Sequence, residues 1–242
     1  VAGMIIGALP FVLYLKTIQG EWGALYRDTQ VQWFITAVVL IILVIAGWLW
    51  LERNASLEHA LRLAAFNIVS IITGTGYATD DFSQWGHFAL PIFFFIMFVG
   101  GCAGSTTCGI KVFRIQVLYA AARTQIHHLL QPHGIFVPYY NRQPISDEVI
   151  TSVLSFFFMW FFTFCLLALG LGFLGLDFIT AFSSAASAIA NVGPGLGPIV
   201  GPAGTFQPLP DAAKWLLTAG MLLGRLELFT VIVLFTRSFW RG

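Results

Sequence analysis

Two short glycine-containing turns hold the residues best suited to chemistry in this sequence. The first consists of Thr73, Gly74, Thr75 and Gly76, and the second of Ala190, Asn191, Val192 and Gly193. Glycine permits positive φ, so a turn of this kind can direct several carbonyl oxygens to one side. Rings of such oxygens replace the hydration shell of potassium in selectivity filters. Because neither turn carries an acidic side chain, its backbone oxygens would have to coordinate the cation.

A nucleotide-binding loop and a plain surface loop are the other interpretations of these turns. The first turn partly matches the G-x-G-x-x-G dinucleotide-binding pattern. The third glycine and a surrounding βαβ unit are missing, which excludes a dinucleotide-binding protein. Ordinary glycine-rich surface loops are the simpler alternative. The occurrence of two turns in equivalent places, described below, favours a filter. Asp80 and Asp81 follow the first turn and could concentrate cations at its mouth.

A second unusual segment contains only Gly, Ala, Ser, Thr and Cys between Gly100 and Gly109. Glycine costs a helix about 1 kcal/mol per residue relative to alanine. We therefore predict a non-helical loop that crosses the pore below the filter as a movable plug. Its residues are Gly101, Cys102, Ala103, Gly104, Ser105, Thr106, Thr107, Cys108 and Gly109. The alternative is that Gly100 and Gly104 form a G-x-x-x-G face for helix packing.

Arg225 lies within an apolar stretch. An arginine near a bilayer centre costs about 2.5–3.5 kcal/mol on insertion scales, so it should face a cavity or buried partners. Glu227 points to another side of a helix and is not an obvious partner. The guanidinium group has five donors that could meet the carbonyls of the predicted loop, and its charge would repel potassium. We predict that Arg225 and the loop form a gate.

Composition indicates that these segments belong to a membrane protein. Of the 242 residues, 58% are hydrophobic and 10% charged, against about 25% charged in soluble domains. Uncharged runs at 33–51, 88–110 and 149–176 are long enough to cross a hydrocarbon core, which disfavours a soluble helical core. The net charge of +1 predicts no nucleic-acid partner, and the three cysteines lie in apolar runs that suggest no disulfides. Since the sequence starts in a hydrophobic stretch, we expect a piece of a longer protein.

The basic residues predict an orientation. If the spans alternate, eight basic residues fall on one side and three on the other, which places 16–30, 111–148 and the C-terminus in the cytoplasm. The eight are Lys16, Arg27, Lys111, Arg114, Arg123, Arg142, Arg237 and Arg241, and the three are Arg53, Arg62 and Lys214.

The sequence also repeats itself. "MFVGG" at 97–101 reappears as "MLLGR" at 221–225, an offset of 124, and "MIIGA" at 4–8 is a third copy. An uncharged span, a short helical stretch (57–73 or 176–190) and a glycine-containing turn precede each later copy. The turn glycines are 117 residues apart, so the second repeat has 124 − 117 = 7 extra residues, which we assign to an irregular segment at 197–210.

Each repeat is therefore predicted to be a span, a re-entrant pore helix, an extended turn and a second span. Non-helical backbone at membrane depth must be buried in protein or line a cavity, so two such turns imply a shared pore. The predicted fold is an all-α integral membrane protein of potassium-channel-like repeats arranged pseudo-symmetrically around an ion pore. Its parts are the end of a preceding repeat with a linker (1–31), a third repeat (32–124), a cytoplasmic connector (125–148) and a fourth repeat (149–242).

Three segments, "TGTGYATDDF", "GGCAGSTTCGIKVFR" and "ANVGPGLGP", closely resemble the TrkH potassium uptake proteins of the bacterial Trk/Ktr superfamily. The resemblance implies four repeats around one potassium pathway, of which this chain would supply the last two and the end of the second. It further implies a multi-pass protein of the bacterial inner membrane with a carbonyl filter that has one glycine per repeat, here Gly76 and Gly193. It also implies a homodimer and cytosolic nucleotide-binding regulatory subunits of the TrkA type. Asn191-Val192 and Pro194 depart from a Thr-rich filter strand, which leaves the geometry of the second turn open.

Other functions find less support in the sequence. His127, His128 and His133 with Cys102 and Cys108 match a closed metal site poorly, and no catalytic set converges, so we expect no enzyme. A proton- or sodium-coupled symporter would normally need a titratable residue within a span, where only Arg225 and Glu227 qualify. That alternative, a non-conducting scaffold subunit and the choice between potassium and sodium stay open. Residues 133–149 suit either a docking surface or a plain linker.

Overall fold

The protein is built almost entirely from helices, and a computed structural model describes residues 1–53, 56–226, 228–234 and 237–241. In the first half these are α1 (Ala2–Ala8), α2 (Phe11–Ile18), α3 (Ala24–Arg27), α4 (Thr29–Arg53), α5 (Leu57–Ile72), a 3-10 helix (Phe82–Gln84), α6 (Ala89–Ile96) and α7 (Val112–Leu130). The second half contains β1 (Tyr139–Tyr140), β2 (Gln143–Pro144), α8 (Asp147–Phe173), α9 (Phe178–Ala190), α10 (Gly197–Val200), α11 (Asp211–Arg225), α12 (Leu228–Leu234) and α13 (Arg237–Arg241).

Two of the described helices are long and apolar enough to cross a membrane. They comprise 24 residues of α4 (Thr29–Glu52) and 27 residues of α8 (Asp147–Phe173). The outward face of α8 exposes large apolar side chains, among them Phe158 and Phe162, whereas Trp160 and Phe164 are buried. This division is typical of a helix with protein on one side and lipid on the other. The third uncharged run, 88–110, is not one helix, because α6 ends at Ile96.

The same order of parts occurs twice. The first copy, or first repeat, is the predicted third repeat (32–124), and the second copy, or second repeat, is the predicted fourth repeat (149–242). In the first copy α4 packs against α5, and in the second α8 packs against α9, which also contacts α11. A side chain caps the N-terminus of each short helix: the Ser56 hydroxyl accepts from the His59 amide at 3.3 Å, and the Asp177 carboxylate accepts from the Thr180 amide at 3.1 Å. Capping of this kind favours the start of a helix at each of these positions. The predicted short helices are therefore present as α5 and α9.

The segment between the second turn and α11 is longer than its counterpart. Residues 197–210 were predicted to be irregular, and most of them are, but α10 forms one helical turn at Gly197–Val200. Pro198 at the start of that turn is favourable, because its fixed φ suits the first helical positions. A hydrogen bond of 3.2 Å from the Gly197 amide to the Ser83 hydroxyl joins this segment to the first repeat.

The connector is more ordered than a plain linker. Helix α7 continues past residue 124 to Leu130, and β1 pairs with β2 in an antiparallel hairpin. The hairpin lies near the start of α4, where the Asn141 amide stands 3.5 Å from the Asp28 carboxylate. Burial and, to a smaller extent, the Asp28 charge raise the pKa of Tyr140 to about 12. Strand β1 thus packs against α7, and Asn141 lies beside the residue that precedes α4.

Candidate functional site

The two glycine turns have matching backbone conformations. At an offset of 117, Gly74 corresponds to Asn191 and Gly76 to Gly193. The four φ angles are 66° and 77° in the first turn and 53° and 123° in the second. Asparagine is among the few residues other than glycine that adopt the left-handed region readily. The departure at Asn191 therefore preserves the turn, and its side-chain amide also donates to the carbonyl of Met221 on α11 at 3.1 Å.

Hydrogen bonds from the last turn of α5 hold the first turn. The carbonyl oxygen of Ser70 accepts from the amides of Thr75 at 2.9 Å and Gly76 at 3.3 Å. The hydroxyl of Ser70 donates to the carbonyl of Tyr77 at 2.5 Å. The hydroxyl groups of Thr73 and Thr75 lie 2.8 Å apart. The carbonyl oxygens of residues 73–76 take no part in these bonds.

Helix α9 holds the second turn in the same manner. The carbonyl oxygen of Ser187 accepts from the Val192 amide at 3.0 Å. The hydroxyl of Ser187 accepts from the Gly193 amide at 3.1 Å and lies 2.9 Å from the Gly193 carbonyl, to which it can donate. Carbonyl oxygens of residues 190–192 remain outside this set of bonds. Both turns can therefore offer backbone oxygens to a cation.

The two turns touch each other at their equivalent glycines. A Cβ added to Gly193 would lie 3.2 Å from the Cα of Gly76, and a Cβ added to Gly76 would overlap the carbonyl oxygen of Val192. With positive φ at both positions, any other residue would be strained as well as crowded. The backbones of the two turns are thus in direct contact at Gly76 and Gly193.

The acidic residues after the first turn are held by structural contacts. The Asp80 carboxylate accepts from the indole of Trp85 at 2.7 Å. Asp81 caps the 3-10 helix by accepting from the Ser83 amide at 3.1 Å, and it also accepts from the Gln84 amide group at 2.9 Å. Both carboxylates follow the turn closely in sequence. Their hydrogen bonds give them a structural role in addition to the predicted attraction of cations.

The small-residue segment is non-helical, as the four glycines predict. The chain leaves the helix after Ile96 and re-enters one at Val112, and between these points Val99 and Ile110 form a parallel bridge. A Cβ on Gly100 would overlap the carbonyl oxygen of Cys108, so this close return of the chain requires glycine. Since Gly100 and Gly104 are not on a helix, the alternative of a G-x-x-x-G packing face is wrong.

Backbone contacts tie this loop to the start of the chain. The amides of Cys102 and Thr106 donate to the carbonyl oxygens of Ala8 at 3.0 Å and Gly7 at 3.2 Å. The loop is also tied to α4, because the Ala103 amide donates to the side-chain oxygen of Gln30 at 2.9 Å. Gln30 is 8% exposed, so this bond is shielded from solvent.

Arg225 reaches the other end of the loop. Its Nη1 atom lies 3.5 Å from the carbonyl oxygen of Thr106 and 3.0 Å from the Sγ of Cys108. A cavity of about 70 Å³ lies here, and its lining includes Arg225, Lys111 and Arg114. Glu227, which the sequence did not favour as a partner of Arg225, lies outside the described residues.

The histidines of the connector have ring contacts. His127 stacks on Phe136 with centroids 5.3 Å apart, and His128 meets the same ring edge-on at 5.2 Å. In the part of the chain that the structure describes, no three His, Cys, Asp or Glu residues cluster as metal ligands would.

Some residues at the site were not singled out from the sequence. Ser70 and Ser187 hold the turns, and Gln30 holds the loop. The serines stand at the same offset of 117 as Gly76 and Gly193, so a position-by-position alignment of the two repeats contains a signal for them. Gln30 offers no comparable signal.

Comparison with known proteins agrees with this architecture. The family model for TrkH, described as cation transport protein, matches residues 4–241. The Trk system potassium uptake protein TrkI of Halomonas elongata is 52% identical over 98% of this chain and 48% of its own length. TrkH of the same organism is 36% identical over 99% of this chain and 49% of its own length. The chain therefore spans about half the length of these relatives.

A solved structure matches as well. The crystal structure of the potassium transporter TrkH from Vibrio parahaemolyticus superposes with a TM-score of 0.91 at 33% identity. The match covers 98% of this chain and 51% of that one. The backbone described above is thus similar to that of an experimentally determined transporter over nearly all of its length.

Proposed function

This chain belongs to the TrkH family of cation transport proteins, a family of transporters and not of enzymes, and we propose on that premise that it forms part of a pathway for potassium uptake. The observation that carries the proposal is the contact between two equivalent turns, in which the carbonyl oxygens of residues 73–76 and 190–192 stay outside the bonds that hold the turns. Carbonyl oxygens are the ligands that replace water around potassium. The transported ion is the substrate, and the proposal needs no resident cofactor.

The proposed selectivity filter consists of residues 73–76 and 190–193, completed by two further repeats. Matching positive φ angles at Gly74 and Asn191 and at Gly76 and Gly193 support the equivalence of the two turns. In this proposal α5 and α9 are pore helices, since each ends at the turn and sends hydrogen bonds into it.

The proposed gate consists of loop 101–109 and Arg225. A non-helical loop that is glycine-rich can move without unwinding a helix, and the guanidinium group beside it supplies a positive barrier. The loop would act as a plug and the charge as an electrostatic obstacle. Contacts of the loop with Gly7, Gln30 and Arg225 support a closed position.

The proposed setting is the bacterial inner membrane, where the protein crosses the lipid several times as a homodimer. The outward apolar faces of α4 and α8 suit contact with lipid. Cytosolic nucleotide-binding subunits of the TrkA type are the proposed regulatory partners. The connector supports such docking, because one side of its hairpin is exposed. The hairpin also lies near Asp28, which is two residues from Gln30, the side chain that binds loop residue Ala103.

A reversal-potential measurement tests this function. The protein with all four repeats is reconstituted in a bilayer and exposed to opposed potassium and sodium gradients, with protein-free bilayers as the control. We expect the reversal potential to follow the potassium gradient. A potential that also follows a proton or sodium gradient would support a coupled symporter instead, and the absence of any current or uptake would support a scaffold subunit.

A further inference from the structure

The helices before the two turns carry serines at equivalent positions. Ser70 and Ser187 are 187 − 70 = 117 residues apart, and so are Gly76 and Gly193, 193 − 76 = 117. Ser70 is fully buried and Ser187 is 3% exposed. A buried hydroxyl group is stabilised by a hydrogen-bond partner, since leaving it unpaired is costly. Both serines find that partner in the backbone of the turn.

Each serine binds its turn twice, once through its main chain and once through its side chain. In the first repeat the Ser70 carbonyl accepts from Thr75 and Gly76, while its hydroxyl donates to Tyr77. In the second repeat the Ser187 hydroxyl contacts both the amide and the carbonyl of Gly193. The Ser70 side chain thus binds the residue after Gly76, and the Ser187 side chain binds Gly193 itself, so each hydroxyl group holds the backbone where it leaves the turn.

A second pair of contacts follows further along each turn. In the first repeat the Asn67 side chain bonds both the hydroxyl and the amide of Thr79, at 3.0 and 3.1 Å. In the second repeat the Ser183 hydroxyl accepts from the amide of Leu196 at 2.9 Å. Thr79 and Leu196 are also 196 − 79 = 117 residues apart. The exits of both turns are thus held at equivalent backbone positions.

We propose that Ser70 and Ser187 are positioning residues for cation selectivity, because their hydroxyl groups hold the backbone at Tyr77 and Gly193, next to the peptides whose oxygens would coordinate the ion. The inference rests on the proposed filter. Without the hydroxyl group, the backbone at Tyr77 or Gly193 is no longer held by α5 or α9, so the turn before it can rotate its free oxygens away. Potassium and sodium then compete for a looser set of oxygens, and discrimination between them falls.

The chain contains a matched control for this inference. Ser184 lies on the same helix as Ser187 and is fully buried, but its hydroxyl has no hydrogen-bond partner among the described residues. Ser184→Ala therefore removes the same atom from the same helix without releasing a turn. Ser187→Ala and Ser70→Ala each remove a hydroxyl that binds one.

The test is the permeability ratio of potassium to sodium, taken from reversal potentials of the protein with all four repeats. The ratio does not depend on how much protein folds, so a poorly expressed variant does not imitate the effect. We expect Ser70→Ala and Ser187→Ala each to lower it about two- to tenfold, the range that one hydrogen bond of ordinary strength supplies. Ser184→Ala should keep the wild-type ratio.

The outcomes separate this inference from the proposed function. If wild type shows no preference for potassium, the filter proposal fails and the inference fails with it. If wild type is selective and Gly76→Ser lowers the ratio, but both serine variants keep it, only the inference is overturned. An equal loss in Ser184→Ala would also overturn it, because the effect would then come from packing in α9.

Discussion

The Nη1 atom of Arg225 lies 3.0 Å from the Sγ of Cys108, across 117 residues of sequence. Arg225 ends helix α11, whereas Cys108 is close to the end of a non-helical loop. The contact joins the last part of one repeat to the corresponding part of the other. It means that a change at Arg225 acts on the loop directly as well as through its charge.

Arg225→Ala should raise potassium flux through the complete protein. The substitution removes the donor to Thr106 and Cys108 and a positive charge that would oppose potassium by about 2.4 kcal/mol at 7 Å and an effective dielectric of 20. The charge alone corresponds to about 60-fold. Lys214→Ala on the same helix is the control, since Lys214 pairs with Asp211 away from the loop. Initial uptake rates measure the effect, and equal or reduced flux in Arg225→Ala would contradict the gate.

Shortening the loop should also raise flux. Deleting Ser105 and Thr106 removes both hydrogen bonds from Thr106 to the Gly7 carbonyl and leaves less chain to occupy the pathway. Thr106→Val keeps the length and loses only the hydroxyl bond, so we expect a smaller rise. Single-channel recordings distinguish a longer open time from a larger conductance. A deletion that folds and conducts less than wild type would show that the loop supports the pathway instead of blocking it.

Gly76→Ser and Gly193→Ser should each lower the preference for potassium over sodium. An added side chain at Gly76 would overlap the Val192 carbonyl, and both positions have positive φ, so the backbone that directs the oxygens must change. Gly47→Ser is the control, because a Cβ there meets nothing within 4 Å. Reversal potentials give the ratio after expression and monodispersity are checked. An unchanged ratio in well-folded Gly76→Ser would exclude Gly76 from the filter.

The connector should lose stability at high pH. Burial raises the pKa of Tyr140 to about 12, whereas an unfolded tyrosine has a pKa of about 10. The unfolded connector therefore releases its proton first, so the contribution of Tyr140 is complete below pH 10 and is lost as the pH rises to about 12. Hydrogen exchange of the amides of β1 and β2 measures this loss. Tyr140→Phe should lack the dependence, and an identical profile in that variant would assign it to another group.

Much of the site could be predicted from the sequence because its chemistry is in the backbone. Glycine has a distinct conformational range, so the sequence itself marks Gly76, Gly193 and the small-residue loop as places of unusual backbone. The repeat then indicates which turns correspond. Asn191 was harder to interpret, since its similarity to Gly74 lies in a tolerated φ of 53° and not in its side chain.

The remaining contacts could not be predicted because they depend on tertiary placement. A serine in a helix, such as Ser187, has many possible roles, and only the position of the turn shows which backbone groups it meets. The bonds from Cys102 and Thr106 to residues 7 and 8 join main-chain groups, which any sequence supplies. The bond from Gln30 to Ala103 joins positions 73 residues apart, which no local pattern encodes.

The attachment of the loop to Gly7 and Ala8 has a consequence for the order of assembly. The loop amides at Cys102 and Thr106 find their acceptors almost a hundred residues earlier in the chain. An unpaired backbone amide is costly inside a bilayer, so this segment cannot settle in its native position before residues 7 and 8 lie beside it. The native position of the loop therefore depends on a segment that is synthesised almost a hundred residues before it.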